Sequence, residues 1–497
     1  MSEVESGGRC RVAVVGGGVS GLRAARLLAE AGAEVTVLES SPRLGGQIRT
    51  VEVAGVPVDA GAEAMHLGAP GVAELLDALD LREDMVTARP GASWIVTPKG
   101  LRRLPAGVGP AGPTRLRPVL RSGVMTVPGL VRAGLEPVLA RTAGTTDLSP
   151  GHDRSVGEFV GSRFGAQVVD RFVDPLLGSL HAGDVRALSL RATAPSLVPA
   201  ATTGRSLVRG RRPSPRPKPG VAAAPPMSFV SWSAGLQRVV DALADGLDVA
   251  TNAPVESVTA AEPGAVHRYH LVVGGPTPRT LDVDGIVLAT PGDVAARLLR
   301  HLAPAAASPL TQTDRASVAT IVLAYPRRVV DALPAFRGTG VLVPSSVGSL
   351  LKAATFLTTK WPQLDHPEWY FARLSAGRAG DARLAGLDDD ELLARVRRDL
   401  RTFIGLDVAP RHVHVQRWPD AMPQLTVGHP DRMTTARAAL PAGLTITGSS
   451  YDGVGIASCL TAAARAADTL LDQLAELDRA IPSTRPDRTA AQGDTPA

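Results

Sequence analysis

Apolar and polar positions follow two periods along this chain. Val12-Ala13-Val14-Val15, after Arg11, is an apolar block of strand length and β-branched character. It breaks into Gly16-Gly17-Gly18-Val19-Ser20-Gly21, after which Leu22 to Ala31 has helical spacing. Val35-Thr36-Val37-Leu38 is a second apolar strand and ends at Glu39. Val51–Val53 and Val56–Val58 flank Gly55 like a hairpin, Gly71–Leu81 reads as an amphipathic helix, and 94–96 and 101–105 read as strands. From Gly109 to Ala194 the period is helical, with helices predicted over 124–131, 137–143, 156–164 and 167–176. Strand–helix alternation then returns: a helix after Gly235, and strands at 255–258, 269–273 and 286–291. Beyond these come strands at 318–325, 340–344 and 370–374, a helix over 388–403, a strand at 444–447 and a last helix to about residue 474.

Strand, Gly-rich turn, helix, strand and acid together predict a dinucleotide site rather than an ordinary Gly-rich turn. Gly16 permits the tight turn, Gly18 lets backbone approach a pyrophosphate, and Gly21 lets helix pack on strand. The helix N-terminus offers N–H groups to phosphate, and Glu39 stands where a carboxylate accepts ribose hydroxyls. No second GxGxxG follows a later strand, so a separate NADPH site is not expected.

Composition narrows the classes. At 497 residues, two or three domains are expected. The net charge of +5 suits an anionic small molecule, a membrane surface or plain solubility, while 3% aromatics and the lack of a recognition motif argue against nucleic acid. Two cysteines, Cys10 and Cys459, argue against a disulfide scaffold or a cysteine metal site and fit a reducing cytoplasm. The acidic, polar start is unlike a signal peptide, and no apolar run spans a membrane, so a cytoplasmic protein, at most peripheral to the membrane, is expected. No metal is expected. Arg209, Arg211, Arg212, Arg216 and Lys218, interleaved with prolines between Arg205 and Pro226, predict a flexible loop, and residues after Ala480 a disordered tail.

Pro42-Arg43-Leu44-Gly45-Gly46-Gln47-Ile48-Arg49-Thr50 resembles the second glycine motif of flavoproteins of the amine oxidase and protoporphyrinogen oxidase group. Val156-Gly157-Glu158-Phe159 through Phe164-Gly165, Pro175-Leu176-Leu177, Ala182-Gly183-Asp184, Leu188 to Thr193, Thr359-Lys360-Trp361-Pro362, Arg417 to Gln424 and Gly448 to Cys459 extend the likeness over residues 11 to 475. Together they resemble the coproporphyrinogen III oxidase and protoporphyrinogen oxidase family, in its Gram-positive bacterial branch. The resemblance implies an α/β fold with a Rossmann-like FAD-binding domain (10–75, 228–300 and 432–476), a mixed-sheet substrate domain (76–108, 195–227 and 301–431), a helical domain (109–194) and a tail from 477. It implies non-covalent FAD, touched by Gly16, Gly17, Gly18, Val19, Ser20, Gly21, Glu39, Ser40, Arg43, Gly45, Gly46, Gln47, Gly61, Ala62, Glu63, Ala64, Val255, Trp418, Gly448, Val454, Gly455 and Ile456. Gln47 stands where relatives often carry a base, and Met65-His66-Leu67-Gly68 replaces a more polar stretch.

The implied reaction removes six electrons from coproporphyrinogen III in haem biosynthesis, with oxygen as acceptor and hydrogen peroxide as by-product, and hand-over to the next enzyme of the pathway. Hydride transfer to a flavin needs no acid–base dyad, so no catalytic side chain is assigned. His181, Lys352 and Arg49 are candidates for substrate propionates, each weighed against a packed or solvated role. The rival readings are a protoporphyrinogen IX oxidase, a flavin amine oxidase, a carotenoid-type desaturase, and a porphyrin-binding protein that keeps FAD structurally. Amine oxidases usually place a Lys on the strand at 318–325, where this chain has none.

Overall fold

In the computed structural model, residues 10–142, 144–208 and 229–479 are described. The Arg/Pro-rich run from 209 and the tail from 480 lie outside them. The first apolar block becomes the central strand, Arg11–Val15, of a five-stranded parallel sheet. Its order is Asp248–Ala250, Glu34–Leu38, Arg11–Val15, Gly285–Leu288, Leu444–Ile446. Strands buried on both faces must be apolar throughout, and Val12, Ala13, Val14, Ile286, Val287 and Leu288 are all at most 1% exposed. Helices Val19–Glu30 and Ile456–Arg479 pack on one face through Leu22, Leu28, Leu460 and Leu470. Val255–Ala260, Tyr269–Val273 and Arg279–Val283 form an antiparallel sheet over the other face.

A second sheet has seven strands in the order His412–Pro423, Arg315–Pro326, Trp369–Ala376, Leu351–Phe356, Gly340–Leu342, Ser93–Thr97, Gly100–Arg103. It is antiparallel except between Gly340–Leu342 and Ser93–Thr97. Helix Asp389–Ile404, started by a capping box of Asp388 and Glu391, covers one face through Leu392, Val396 and Leu400. The other face turns toward the glycine motifs. The third body is helical and packs around Phe159, Phe164, Phe172 and Val173.

Several sequence expectations shift. The helix expected at 124–131 runs Val127–Gly134, because Thr126 accepts from the Gly129 N–H and Pro128 sits in the first turn. The helix expected at 167–176 is a short α-turn, Ala166–Val168, followed by a π-helix, Val169–Gly178, which accommodates Pro175. The helical stretch also contains a two-residue hairpin, Val108–Gly109 with Gly112–Pro113. The loop expected from Arg205 starts pinned: buried Glu136 accepts from the Leu207 N–H at 2.8 Å and the Ser206 hydroxyl at 2.5 Å. The last helix continues to Arg479, past the expected tail start at 477, with a solvated final turn after Leu474.

Candidate active site

The two glycine motifs close on each other. Gly45 N–H donates to the Gly17 carbonyl at 2.8 Å, and Gly18 bridges Gly45. Glu39 locks the turn from the next strand, one oxygen accepting from Gly17 N–H at 2.7 Å and the other from Ser41 N–H at 2.8 Å. A carboxylate has acceptor capacity beyond those two bonds, so Glu39 can fix the loop and still receive ribose hydroxyls. The Ser40 hydroxyl lies 3.5 Å from the same carboxylate. Ala253 N–H donates to the Glu39 carbonyl and Asn252 N–H to that of Ser41, which sets Val255 beside this strand end.

The glycines differ in what they tolerate. A Cβ on Gly21 would lie 1.9 Å from the Gly16 carbonyl oxygen, and Gly16 itself has φ +110 against the Ala289 carbonyl. At Gly18 a Cβ would meet no atom within 4 Å. Helix Val19–Glu30 begins there without a side-chain cap and without an acid in its first turn. Its N–H groups and dipole are left to an anion. Thr290 and Thr447, just past the carboxyl ends of two sheet strands, hold buried hydroxyls with no partner among the described residues. Open space at Gly18, uncapped donors and orphaned hydroxyls at the strand ends fit FAD.

Arg43 braces the second motif. It donates to the carbonyls of Leu44 and Ile48, each at 3.0 Å, and of Gly46 at 2.6 Å, with its guanidinium 6.0 Å from the Trp418 ring centre. Gln47 donates to the Ala421 carbonyl. Trp418 Nε1 donates to Thr320 at 3.0 Å, and Thr320 in turn bonds the Ala60 carbonyl. Arg43, Gln47 and Trp418 therefore tie the seven-stranded sheet to the glycine loops. At the Gly61–Ala64 turn, Arg373 donates to the Gly61 carbonyl at 2.6 Å. The Glu63 side chain points into an internal cluster: Lys360 Nζ at 2.6 Å, Arg373 at 2.7 Å and Trp361 Nε1 at 3.0 Å. Burial pushes its carboxyl up, but Lys360 and Arg373 outweigh this and hold it at about 2. Only the backbone of Glu63 is left to face a cofactor. Asp59, the last residue of strand Val56–Asp59 and two positions before Gly61, is pushed up to about 6 by burial, against bonds from Thr50, Leu236 N–H and Ser231.

The three substrate candidates fall in two places. Arg49 lies by Arg43 and His414, near the His412–Pro423 edge. Lys352 lies three strands across, on Leu351–Phe356, and is 3% exposed. His181 ends the helical turn Ser179–His181, is 4% exposed, and burial pushes it down to about 4, so it is neutral. The His181 carbonyl accepts from Gln424, and that of Ala182 from Ala379 N–H, next to Arg378. His181 and Lys352 thus both lie by the loop that carries Arg378, and Arg49 lies apart. Sequence reasoning missed Arg373 and Arg378. The signal for Arg373 was a cation inside the apolar run 370–374, and Arg378, in the loop after it, left none.

Residues 19–471 match the family model described as flavin containing amine oxidoreductase. The chain belongs to that family. Its cofactor is FAD. Among curated relatives in this flavin oxidoreductase family, the coproporphyrinogen III oxidase of Mycobacterium leprae is 36% identical over 93% of this chain and 98% of its own length. That of Bacillus subtilis is 30% identical over 92% and 96%. A solved Exiguobacterium structure, provisionally titled a protoporphyrinogen oxidase, has a TM-score of 0.79 at 26% identity, covering 94% of this chain and all, 100%, of that one. Cyclohexylamine oxidase from Brevibacterium oxydans shares the fold at a TM-score of 0.67 and 18% identity, covering 95% of this chain and 100% of that one.

The cysteine that an amine-oxidase analogy would link to flavin is engaged elsewhere. Cys459 is buried in the last helix and its thiol contacts the Gly453 carbonyl at 3.5 Å. Burial pushes the thiol up to about 11, which leaves it a neutral, unreactive group. Gly453, at φ +112, and Gly455 open the helix start at Ile456, with Val454 between them, and Gly448 turns at φ +126 beside Ser20. Among the described residues no helix is long and apolar enough to cross a membrane.

Proposed function

We propose that this chain is an oxygen-dependent FAD oxidase that converts coproporphyrinogen III and three molecules of oxygen into coproporphyrin III and three of hydrogen peroxide. The observation that carries this reading is the 36% identity to a coproporphyrinogen III oxidase over nearly the full length of both chains. The closed double-glycine cradle supports it. Bound FAD supplies the electron acceptor for each two-electron step. The chain's own residues do the rest. Gly16–Gly21, Glu39 and Val255 hold the dinucleotide half, and Arg43 and Trp418 fix the second loop. Gly61–Ala64 and Gly448–Ile456 would offer backbone to the ring, and the start of helix Ile456–Arg479 would supply a positive dipole end to stabilise negative charge on it. Cys459 leaves the cofactor non-covalent. On this reading, 10–75, 228–300 and 432–476 bind FAD, while 76–108, 195–227 and 301–431 with the helical part 109–194 bind substrate. The exposed apolar row Val127, Val131, Leu135 and Val138 supports peripheral contact with a membrane.

Relatives and structures titled protoporphyrinogen oxidase favour protoporphyrinogen IX as the second reading. Anaerobic mixing with each porphyrinogen, following loss of flavin absorbance, separates the two. Fast bleaching by coproporphyrinogen III and slow bleaching by protoporphyrinogen IX is expected. The reverse order supports the second reading, and bleaching by neither removes both.

A further inference from the structure

Lys352 is an anomaly of charge. It sits at a bulge in Leu351–Phe356, where the register with Trp369–Ala376 skips between Leu351 and Ala353. The side chain is 3% exposed. Among the described residues it has neither an ion pair nor a hydrogen bond, and the charges that act on it, Arg378 and Arg373, are both repulsive. Those two cations have carboxylates of their own. Glu63 pairs with Arg373, and Asp174 and Asp381 act on Arg378. Arg378 donates from Nη2 to the Val343 carbonyl at 2.7 Å, but its buried Nε and Nη1 have no partner among the described residues. Buried cations are normally paired, since an unpaired one is costly. Here, among the described residues, an ammonium on Leu351–Phe356 and two guanidinium donors on the loop after Trp369–Ala376 are left unanswered, next to the turn that bears buried His181.

We propose that Lys352, with Arg378 beside it, forms a carboxylate-binding subsite that receives one side-chain carboxylate of the porphyrinogen. This rests on the function proposed above and adds a specificity-determining residue to it. The internal carboxylates nearby are engaged with Arg373 and Arg378, which leaves Lys352 to an incoming one. The incoming carboxylate accepts from the ammonium and the guanidinium together, a charge-assisted arrangement.

The test uses the full-length holoenzyme and its Lys352→Met and Lys352→Arg variants. Coproporphyrin III and its tetramethyl ester are each titrated in the same detergent, following quenching of porphyrin fluorescence. Lys352→Met is expected to weaken the tetra-acid about 10–100-fold, as loss of one charge-assisted bond predicts, and to leave the ester unchanged. Lys352→Arg is expected to restore most of the affinity. Equal binding of the acid by wild type and Lys352→Met overturns the subsite, as does equal loss for acid and ester. A shifted flavin potential with unchanged porphyrin binding assigns the charge to the flavin and also overturns it. If Lys352→Met fails to fold, Lys352→Gln carries the same comparison. Turnover of coproporphyrinogen III is read on the same wild-type preparation. Its absence removes the functional reading itself, whereas turnover with an unchanged KM in the variant removes the subsite alone.

Discussion

Glu63 shows how far a residue's role depends on partners distant in sequence. Lys360 lies 297 positions along the chain, and no local pattern joins the two, so the sequence marks Glu63 only as part of a turn. Its carboxyl is held at about 2, against an ordinary 4.5. A depressed acid contributes stability that is complete above about 4.5 and is lost as pH falls toward 2, about 3 kcal/mol in all. Glu63→Gln leaves two half-buried cations, Lys360 and Arg373, without their carboxylate and is expected to cost about 2–3 kcal/mol in urea unfolding at pH 7. Lys352 works in the opposite sense. Burial, Arg378 and Arg373 push its ammonium down to about 7, against an ordinary 10.5. Below pH 7 both states carry the proton and the folded state bears the full cost. Between about 7 and 10.5 the unfolded chain binds more protons, so stability rises with pH. Lys352→Met is therefore expected to raise Tm more at pH 6 than at pH 10, read by differential scanning calorimetry.

At the scale of elements, the strand–turn–helix–strand unit was legible because its signals are local: an apolar run, a glycine spacing and an acid at the next strand end. The same locality makes its glycines separable by experiment. Gly18 has a φ of −75 and open space at its Cβ position. Gly18→Ala should fold with an unchanged apoprotein Tm yet lose bound FAD, measured by its visible absorbance. Gly21→Ala drives a Cβ onto the Gly16 carbonyl and should lower Tm as well. Less was legible in the large sheet. Leu351–Phe356 carries a lysine, and His412–Pro423 carries His, Arg, Pro and Asp, so neither has a clean two-residue alternation. Both are strands because Trp369–Ala376 and Arg315–Pro326 offer them edges to pair with. The π-turn at 169–178 was hidden for a similar reason: periodicity sees a helix, not its pitch.

For the whole molecule, the domain pattern could be read because strand–helix alternation stops and resumes. The strand order could not, because pairing joins positions far apart. Gly285–Leu288 sits between Arg11–Val15 and Leu444–Ile446. Such long-range pairing slows folding, and refolding from urea is expected to take seconds or longer, followed by recovery of tryptophan fluorescence. A chain stopped at residue 440 lacks the edge strand and the helix Ile456–Arg479 that packs on Val19–Glu30. It is expected to retain no FAD on gel filtration.

The central strand leaves the ribosome long before its outer neighbour Leu444–Ile446 and covering helix Ile456–Arg479. A translating chain carries the nucleotide fingerprint for most of its synthesis without the surface that makes it a cradle. Colour therefore reports on that helix: a yellow molecule has been read through Ile456–Arg479, and one ended before it stays colourless and open to proteases.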